Sequence, residues 1–335
     1  SAASILEVRQ NVSSSYRYQA VFGRVNLNWD GKYILNITSR RDGSSRFGTD
    51  RRYANFGAVG AAWLFSRESL FTGLDFLSFG KLRGSYGITG NDQIGDYEYL
   101  DTYSLTGRSY GGLSGLAPTQ LFNPTFGWET NRKLELGLAL GFVDDHIRTE
   151  VSFFLNRSGD QLVGIPQPGT TGFTMLRSNL DAIVENRGWE VVFNSVNIDT
   201  DNFSWSSGFN ITIPKNELVS YPGLEGSTYA NQLVVGKSLN IQKLYVLDGV
   251  DTDSGVYTFR DFNGDGELSS LDDRGYIASL DPRFYGGLNN DLRYGNWHLN
   301  FLFQFVSRDN RGYLSGIPGG MVNQPLVVTD RWEEA

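Results

Sequence analysis

One stretch of the chain has the residue types and spacing to hold a metal. Asp261-Phe-Asn263-Gly-Asp265-Gly266-Glu267-Leu-Ser269-Ser-Leu-Asp272 matches the D-x-[DN]-x-[DN]-G opening of an EF-hand-type calcium loop. Ca²⁺ is a hard cation that takes oxygen ligands, and alternate residues of a tight loop deliver them. Asp261, Asn263 and Asp265 offer side-chain oxygens, and Gly266 allows the sharp turn. Glu267 offers its backbone carbonyl, Ser269 a hydroxyl or a bound water, and Asp272 the closing carboxylate. Asp272 is shorter than the Glu usual at that place, so the affinity is expected to be modest. Tyr257-Thr-Phe259 before the loop reads as strand, so no EF-hand helix leads into it. The same residues also suit an Asp/Asn/Gly turn that satisfies its own backbone without metal. Spacing alone leaves both readings open.

Other chemistry is thin. His146 and His298 are the two histidines, too few for a histidine-metal cluster, and the absence of Cys removes thiolate sites and disulfides. Adjacent carboxylates occur at Asp144/Asp145, Asp272/Asp273 and Glu333/Glu334, but neighbours on a strand point to opposite faces and make poor acid/base pairs. No phosphate loop, nucleophile elbow or H-E-x-x-H motif is present, so no enzyme is expected. A net charge of -8 lacks the basic footprint of a nucleic-acid binder. Tyr97, Tyr99, Tyr103 and Tyr110, in long Gly- and Ser-rich connections, suit stacking on sugar rings or peptide side chains, or packing on a partner or on the loops themselves.

The elements that must carry these residues are strands. Leu134, Leu136, Leu138, Leu140 and Phe142 point one way, while Lys133, Glu135, Gly137, Ala139 and Gly141 point the other, a period of two that no helix produces. The alternation recurs at Val21/Val25/Leu27, Tyr33/Leu35/Ile37, Leu82/Tyr86/Ile88, Val151/Phe153/Leu155, Trp189/Val191/Phe193, Phe203/Trp205/Phe209/Ile211 and Trp297/Leu299/Phe301/Phe303/Phe305. The polar face carries Gly, Ser, Asn and Arg, and Trp29, Tyr33, Trp189, Trp205, Tyr294 and Trp297 cluster near turns, as in an interfacial girdle.

Connection lengths alternate as well. Trp29–Lys32, Val143–His146, Ile198–Asn202 and Tyr294–Trp297 are short, and Phe65–Phe79 is a longer turn with some helical character. Between them lie long connections at 41–53, 89–128, 157–183 and 213–283. Short inner turns and long outer loops belong to outer-membrane barrels. The fold class expected is therefore all-β: a partial, transmembrane, antiparallel up-and-down β-barrel of about ten strands with long extracellular loops. Residues 1–335 form part of one barrel domain, and 214–282 form a long extracellular loop region that holds the calcium-like motif. The opening SAASILEVRQ lacks an initiator Met and a secretory profile, and the chain stops in the polar stretch 330–335, which points to a piece of something larger.

Several segments resemble the SusC/RagA family of TonB-linked outer-membrane transporters. They are Arg40-Arg-Asp-Gly-Ser-Ser-Arg-Phe-Gly48, Leu82-Arg-Gly-Ser-Tyr-Gly-Ile-Thr-Gly-Asn91, Asn123-Pro-Thr-Phe-Gly-Trp-Glu-Thr130, Glu185-Asn-Arg-Gly-Trp-Glu190 and Phe203-Ser-Trp-Ser-Ser-Gly-Phe-Asn210. The loop Asp261–Asp273 and a hairpin at Tyr285-Gly-Gly-Leu-Asn289 follow in the family's order. The resemblance implies a Gram-negative outer-membrane importer: a barrel of about 22 strands, a plug, energy from TonB through an N-terminal region, and a SusD-like surface lipoprotein as lid. It implies glycan or peptide cargo and contact with outer-membrane lipid. By that pattern the plug, the TonB-contacting segment and the closing strands lie outside this sequence. Arg40, Arg41 and Arg46 would bind polar cargo, pair with plug carboxylates, or hold a structural turn. The alternative is a barrel with a structural or secretion-associated role, and a weaker one is a soluble β-rich carbohydrate-binding or adhesin domain.

Overall fold

The computed structural model describes residues 13–71, 73–310, 323 and 326–329. The readings of residues 1–10 and 330–335, Glu333/Glu334 included, lie outside the described residues.

Ten long strands form one sheet: β1 (Tyr18–Trp29), β2 (Tyr33–Ser44), β3 (Tyr53–Trp63), β4 (Leu77–Asn91), β5 (Glu129–Phe142), β6 (Ile147–Gly159), β7 (Ile183–Asp199), β8 (Phe203–Ser220), β9 (Pro282–Tyr294) and β10 (Trp297–Arg308). They are hydrogen-bonded in chain order from β1 to β10. Each strand pairs with its sequence neighbour, as an up-and-down wall requires. The register confirms the faces read from the alternation. Val25 faces Ile37, Leu27 faces Leu35 and Trp29 faces Tyr33, while Asn26 faces Asn36 on the other side. Likewise Trp189 faces Ile213, Val191 faces Ile211 and Phe193 faces Phe209. A bulge between Val196 and Ile198 turns Ile198 onto the row of Trp205, its partner on β8.

The turns match their residues. Asp30 and Gly31 have φ of 54° and 62°, which Asp and Gly tolerate. Val143, Asp144 and Asp145 are all left-handed, with φ of 54°, 50° and 64°. A β-branched Val there is strained, and its carbonyl is held by the His146 backbone N–H at 3.0 Å and contacted by His146 Nδ1 at 2.8 Å.

Three sequence expectations shift. The connection 64–76, which opens with a 3₁₀ turn at Phe65–Arg67, is longer than the 45–52 connection that follows β2, so length alone does not mark which end of the sheet a loop belongs to. The long connection expected from 213 begins after Ser220 instead, because β8 continues past Pro214. Pairing with β9 ends at Thr212 while pairing with β7 runs on to Ser220, so the proline sits where β8 has become an edge and needs no second ladder bond. Tyr285-Gly-Gly-Leu-Asn289 is not a hairpin turn but lies inside β9. A Cβ on Gly286 would meet the Asn210 carbonyl oxygen at 2.1 Å, so the glycine permits close strand approach, and the turn falls at Gly295.

The chain forms two compact units. The first comprises Ser1–Ala61, Ser85–Lys133 and Ser158–Asp181, and the second Ala62–Gly84, Leu134–Arg157 and Ala182–Ala335. In the first, the buried apolar residues are Phe47, Phe56 and Phe126; in the second they are Ala182, Val184 and Leu218. All lie toward the long connections. The apolar strand faces, by contrast, are open: Leu27, Leu136, Trp189 and Phe303 are each about half exposed or more. A soluble sandwich would bury that face against a second sheet, which counts against the adhesin alternative. Among the described residues no helix is long and apolar enough to cross a membrane, which says nothing of strands.

Candidate functional site

In the first unit, two of the singled-out motifs meet. Phe47, fully buried, packs edge-on to Phe126 with ring centroids 6.0 Å apart and against Trp128 at 5.2 Å. Phe56 meets Trp128 at 5.5 Å, and the Trp128 indole N–H donates to the Arg52 carbonyl at 3.1 Å. The Asn123 side chain donates to the Arg177 carbonyl at 2.8 Å. These residues clasp loop backbones together.

The arginines of the same motif are engaged within the chain. Arg40 Nε pairs with Asp42 at 2.7 Å and its NH2 donates to the Tyr18 hydroxyl at 3.0 Å. Arg46 pairs with Asp96 at 3.1 Å, donates to the Asp92 carbonyl and lies 4.2 Å above the Tyr16 ring. Arg41 sits 5.3 Å from the Tyr53 ring centroid and donates to Asn55 at 3.2 Å. Beside them runs a groove of about 490 Å³ lined by Arg24, Arg40, Asp42, Phe22, Asp92 and Trp128 among others. Asp42 is buried, and its Oδ1 has no hydrogen-bond partner among the described residues. A half-satisfied buried carboxylate is costly and invites a donor.

In the second unit, the polar face carries Arg83, which pairs with Glu135, with Glu150 at 2.7 Å, and with the Ser152 hydroxyl at 3.0 Å. His298 lies opposite Arg293 and contacts Asp291 at 2.5 Å.

The cation-loop residues lie in the 221–281 connection, between short strands. Leu247–Val250 pairs with Tyr257–Phe259, and Ile241–Leu244 pairs with Tyr276–Ser279, which brackets the loop on both sides. The strand expected at Tyr257–Phe259 is present. Asp261 accepts the backbone N–H of Gly264 at 2.6 Å and of Gly266 at 2.8 Å, which hold its carboxyl below the ordinary value. Asn263 accepts the Asp265 N–H and donates to its carboxylate, and Asp265 accepts the N–H of Glu267. Ser269 donates to Asp272 at 2.9 Å. Gly264 and Gly266 are left-handed. Among the described residues no three acidic or histidine side chains converge as a metal cluster. One residue the motif does not use anchors the loop: buried Asp273 accepts the N–H groups of Phe262 and Ser269 at 2.8 and 2.7 Å.

Of the tyrosines, Tyr97 accepts the Ser15 N–H at 2.9 Å, and the Tyr99 carbonyl accepts the Asn123 N–H, so both knit loops. Tyr103 is exposed. The Tyr110 side chain lies outside the described residues.

No family model matches the chain. It is 33% identical over 343 aligned residues to TonB-dependent receptor P3 of Formosa agariphila, covering 93% of this chain and 34% of that protein. It is 28% identical to TonB-dependent receptor SusC of Bacteroides thetaiotaomicron, covering 84% of this chain and 30% of that one. Among solved structures, the RagAB peptide transporter superposes with a TM-score of 0.76 at 23% identity, over 87% of this chain and 33% of its own. The chain thus spans about a third of the length of the relatives it matches. These relatives are named as receptors and transporters rather than enzymes, in keeping with a sequence that holds no catalytic constellation. An open apolar face, a polar face with paired charges, ten up-and-down strands and these likenesses together place the chain among the SusC/RagA-like TonB-dependent receptors, as barrel-wall strands of the Gram-negative outer membrane.

Proposed function

We propose that the chain supplies wall strands and outer loops to an importer that brings oligosaccharides or peptides across the outer membrane, driven through TonB and lidded by a SusD-like surface lipoprotein. The observation that supports this reading is the two-faced sheet, apolar and open on one side, polar on the other, in a chain similar to TonB-dependent receptors. The groove beside Arg40 and Asp42 pairs arginine and carboxylate groups with Phe22 and Trp128, a mixture suited to hydroxyl- or amide-rich cargo. The test deletes the full-length gene in the source bacterium and measures uptake of labelled oligosaccharides and labelled peptides, with and without a protonophore. Loss of uptake of one class, reproduced by the protonophore, is expected. Unchanged uptake of both classes refutes import.

The 221–281 connection belongs, on this reading, to the extracellular surface, and Asp261, Asn263, Asp265, Glu267, Ser269 and Asp272 take Ca²⁺ there with modest affinity. The motif spacing and the bracketing strand pairs support it. The cation would stiffen the loop rather than take part in catalysis. Calorimetric titration of the purified full-length protein is expected to give a binding isotherm at or below millimolar Ca²⁺ that Asp261→Ala removes.

A further inference from the structure

In the second unit, the apolar face of β6, β7 and β8 ends outward in a cluster of cations. Phe153, Leu155 and Arg157 alternate along one face of β6, and Phe153 packs on Trp189 of β7 at 5.1 Å. Trp189 lies opposite Ile213, and two residues further out Arg187 lies opposite Lys215. Two strand residues rise about 7 Å. Arg187 and Lys215 therefore sit directly above the aromatic and aliphatic band, at the end of the strands that leads into the long connections, and Arg157, four residues beyond Phe153, stands level with Glu185. In bacterial barrels that end faces outside.

One row further out lie Glu185 and Glu217, again opposite one another. Glu185 is buried and bridges Arg157 at 2.6 Å and Arg187 at 3.0 Å. Glu217 receives Lys215 at 2.8 Å and Arg187 at 3.5 Å. Like charges directly across a strand pair are destabilising, and swapping one cation with one carboxylate would remove both clashes. The chain instead keeps Arg187 and Lys215 in the row next to the hydrocarbon band, and the two carboxylates, with Arg157 beside Glu185, in the row beyond. Two carboxylates against three cations leave one positive charge over, at the membrane boundary.

We propose that this cluster of Arg157, Arg187 and Lys215 binds the phosphate group of an outer-leaflet lipid. Guanidinium and ammonium groups side by side are suited to a phosphate bearing one to two negative charges, and the Trp189–Ile213 row beneath them receives the acyl chains. Buried Glu185 holds the two guanidinium groups in place. The inference rests on the outer-membrane placement and not on which cargo the barrel moves.

The test uses full-length protein in detergent. The probes are bisphosphorylated lipid A, the same lipid with its phosphates removed, and inorganic phosphate at millimolar concentration, with retained lipid read by native mass spectrometry. The wild type is expected to retain the phosphorylated lipid at least about fivefold better than the dephosphorylated one, the scale of one cation at a lipid surface. Lys215→Gln, at an exposed position, is expected to lower that retention about fivefold. Arg157→Gln combined with Glu185→Gln removes one cation and one carboxylate, leaves the single excess charge in place, and is expected to keep the wild-type preference. Heat-modifiable gel migration checks that both variants are folded barrels. Equal retention of the two lipids, wild-type retention by folded Lys215→Gln, or displacement of the lipid by inorganic phosphate at equal molarity would each overturn the proposal, the last assigning the cluster to free phosphate.

Discussion

Phe47→Ala tests whether the shared motif segments are a structural clasp. Phe47 is fully buried and touches both Phe126 and Trp128. Truncating a buried Phe costs about 3–5 kcal/mol, of which each aromatic pair contributes about 0.5–1.5 kcal/mol. The affected region is a set of loops rather than the strand ladder, so the loss appears as local opening. At about 3 kcal/mol the opening constant rises roughly a hundredfold. Hydrogen exchange of the full-length protein in detergent reads this directly. The amides of Ser44, Asn123 and Phe126, bonded to Arg52, Tyr99 and Asn123 respectively, are expected to lose about two orders of protection. Phe47→Leu, which keeps most of the volume, is expected to lose less than about 1.5 kcal/mol. Amides of the β7–β8 ladder, such as Val191 opposite Ile211, serve as the control and stay unchanged. Wild-type protection in Phe47→Ala, or uniform loss across the whole sheet, would refute the clasp.

Gly90→Val drives a Cβ to 1.9 Å from Phe56 Cζ and must push that ring off Trp128, a cost of about 1–3 kcal/mol; thermal unfolding is expected to fall, and Phe56→Leu in the same chain to recover most of it. Single-tryptophan variants reconstituted with brominated lipid are expected to show strong quenching for Trp189 and Trp297, on the open face, and little for Trp128; equal quenching of all three would refute the assignment of faces. The Asp261 carboxyl is held below its ordinary value by the Gly266 and Gly264 N–H groups, so its stabilising effect is complete above about pH 4, the unfolded carboxylate value, and is lost as pH falls through the lower folded value. Exchange at Gly264 and Gly266, corrected for intrinsic rates, is therefore expected to be flat from about pH 8 to 5, and a loss that begins above that range would contradict the geometry.

Much of the wall was legible in residue order because strand periodicity is local. Alternation along Leu134–Phe142 needs no partner to be read, and the register of Trp189 with Ile213 follows from it once a turn is placed. Strand ends were less legible. Pro214 looked like the start of a loop, and it is tolerated because β9 no longer pairs there, a fact about a neighbouring strand rather than about Pro214. Gly286 looked like part of a turn, and the close approach of the Asn210 carbonyl explains it instead.

The candidate sites divide the same way. The cation-loop spacing is written in Asp261–Asp272, but that Asp273 anchors the loop depends on bonds to Phe262 and Ser269 made after folding. The motif arginines were visible as charges, and only their partners, Asp42, Asp96 and Asn55, decided that they brace the wall. The cluster of Arg157, Arg187 and Lys215 joins residues from three strands, far apart along the chain and brought together only through register. Sequence by itself determined the fold class and the two faces, since a two-residue period is a property of each strand alone. Only the tertiary structure decided which charges meet, because cross-strand register brings together residues that nothing in the local pattern connects.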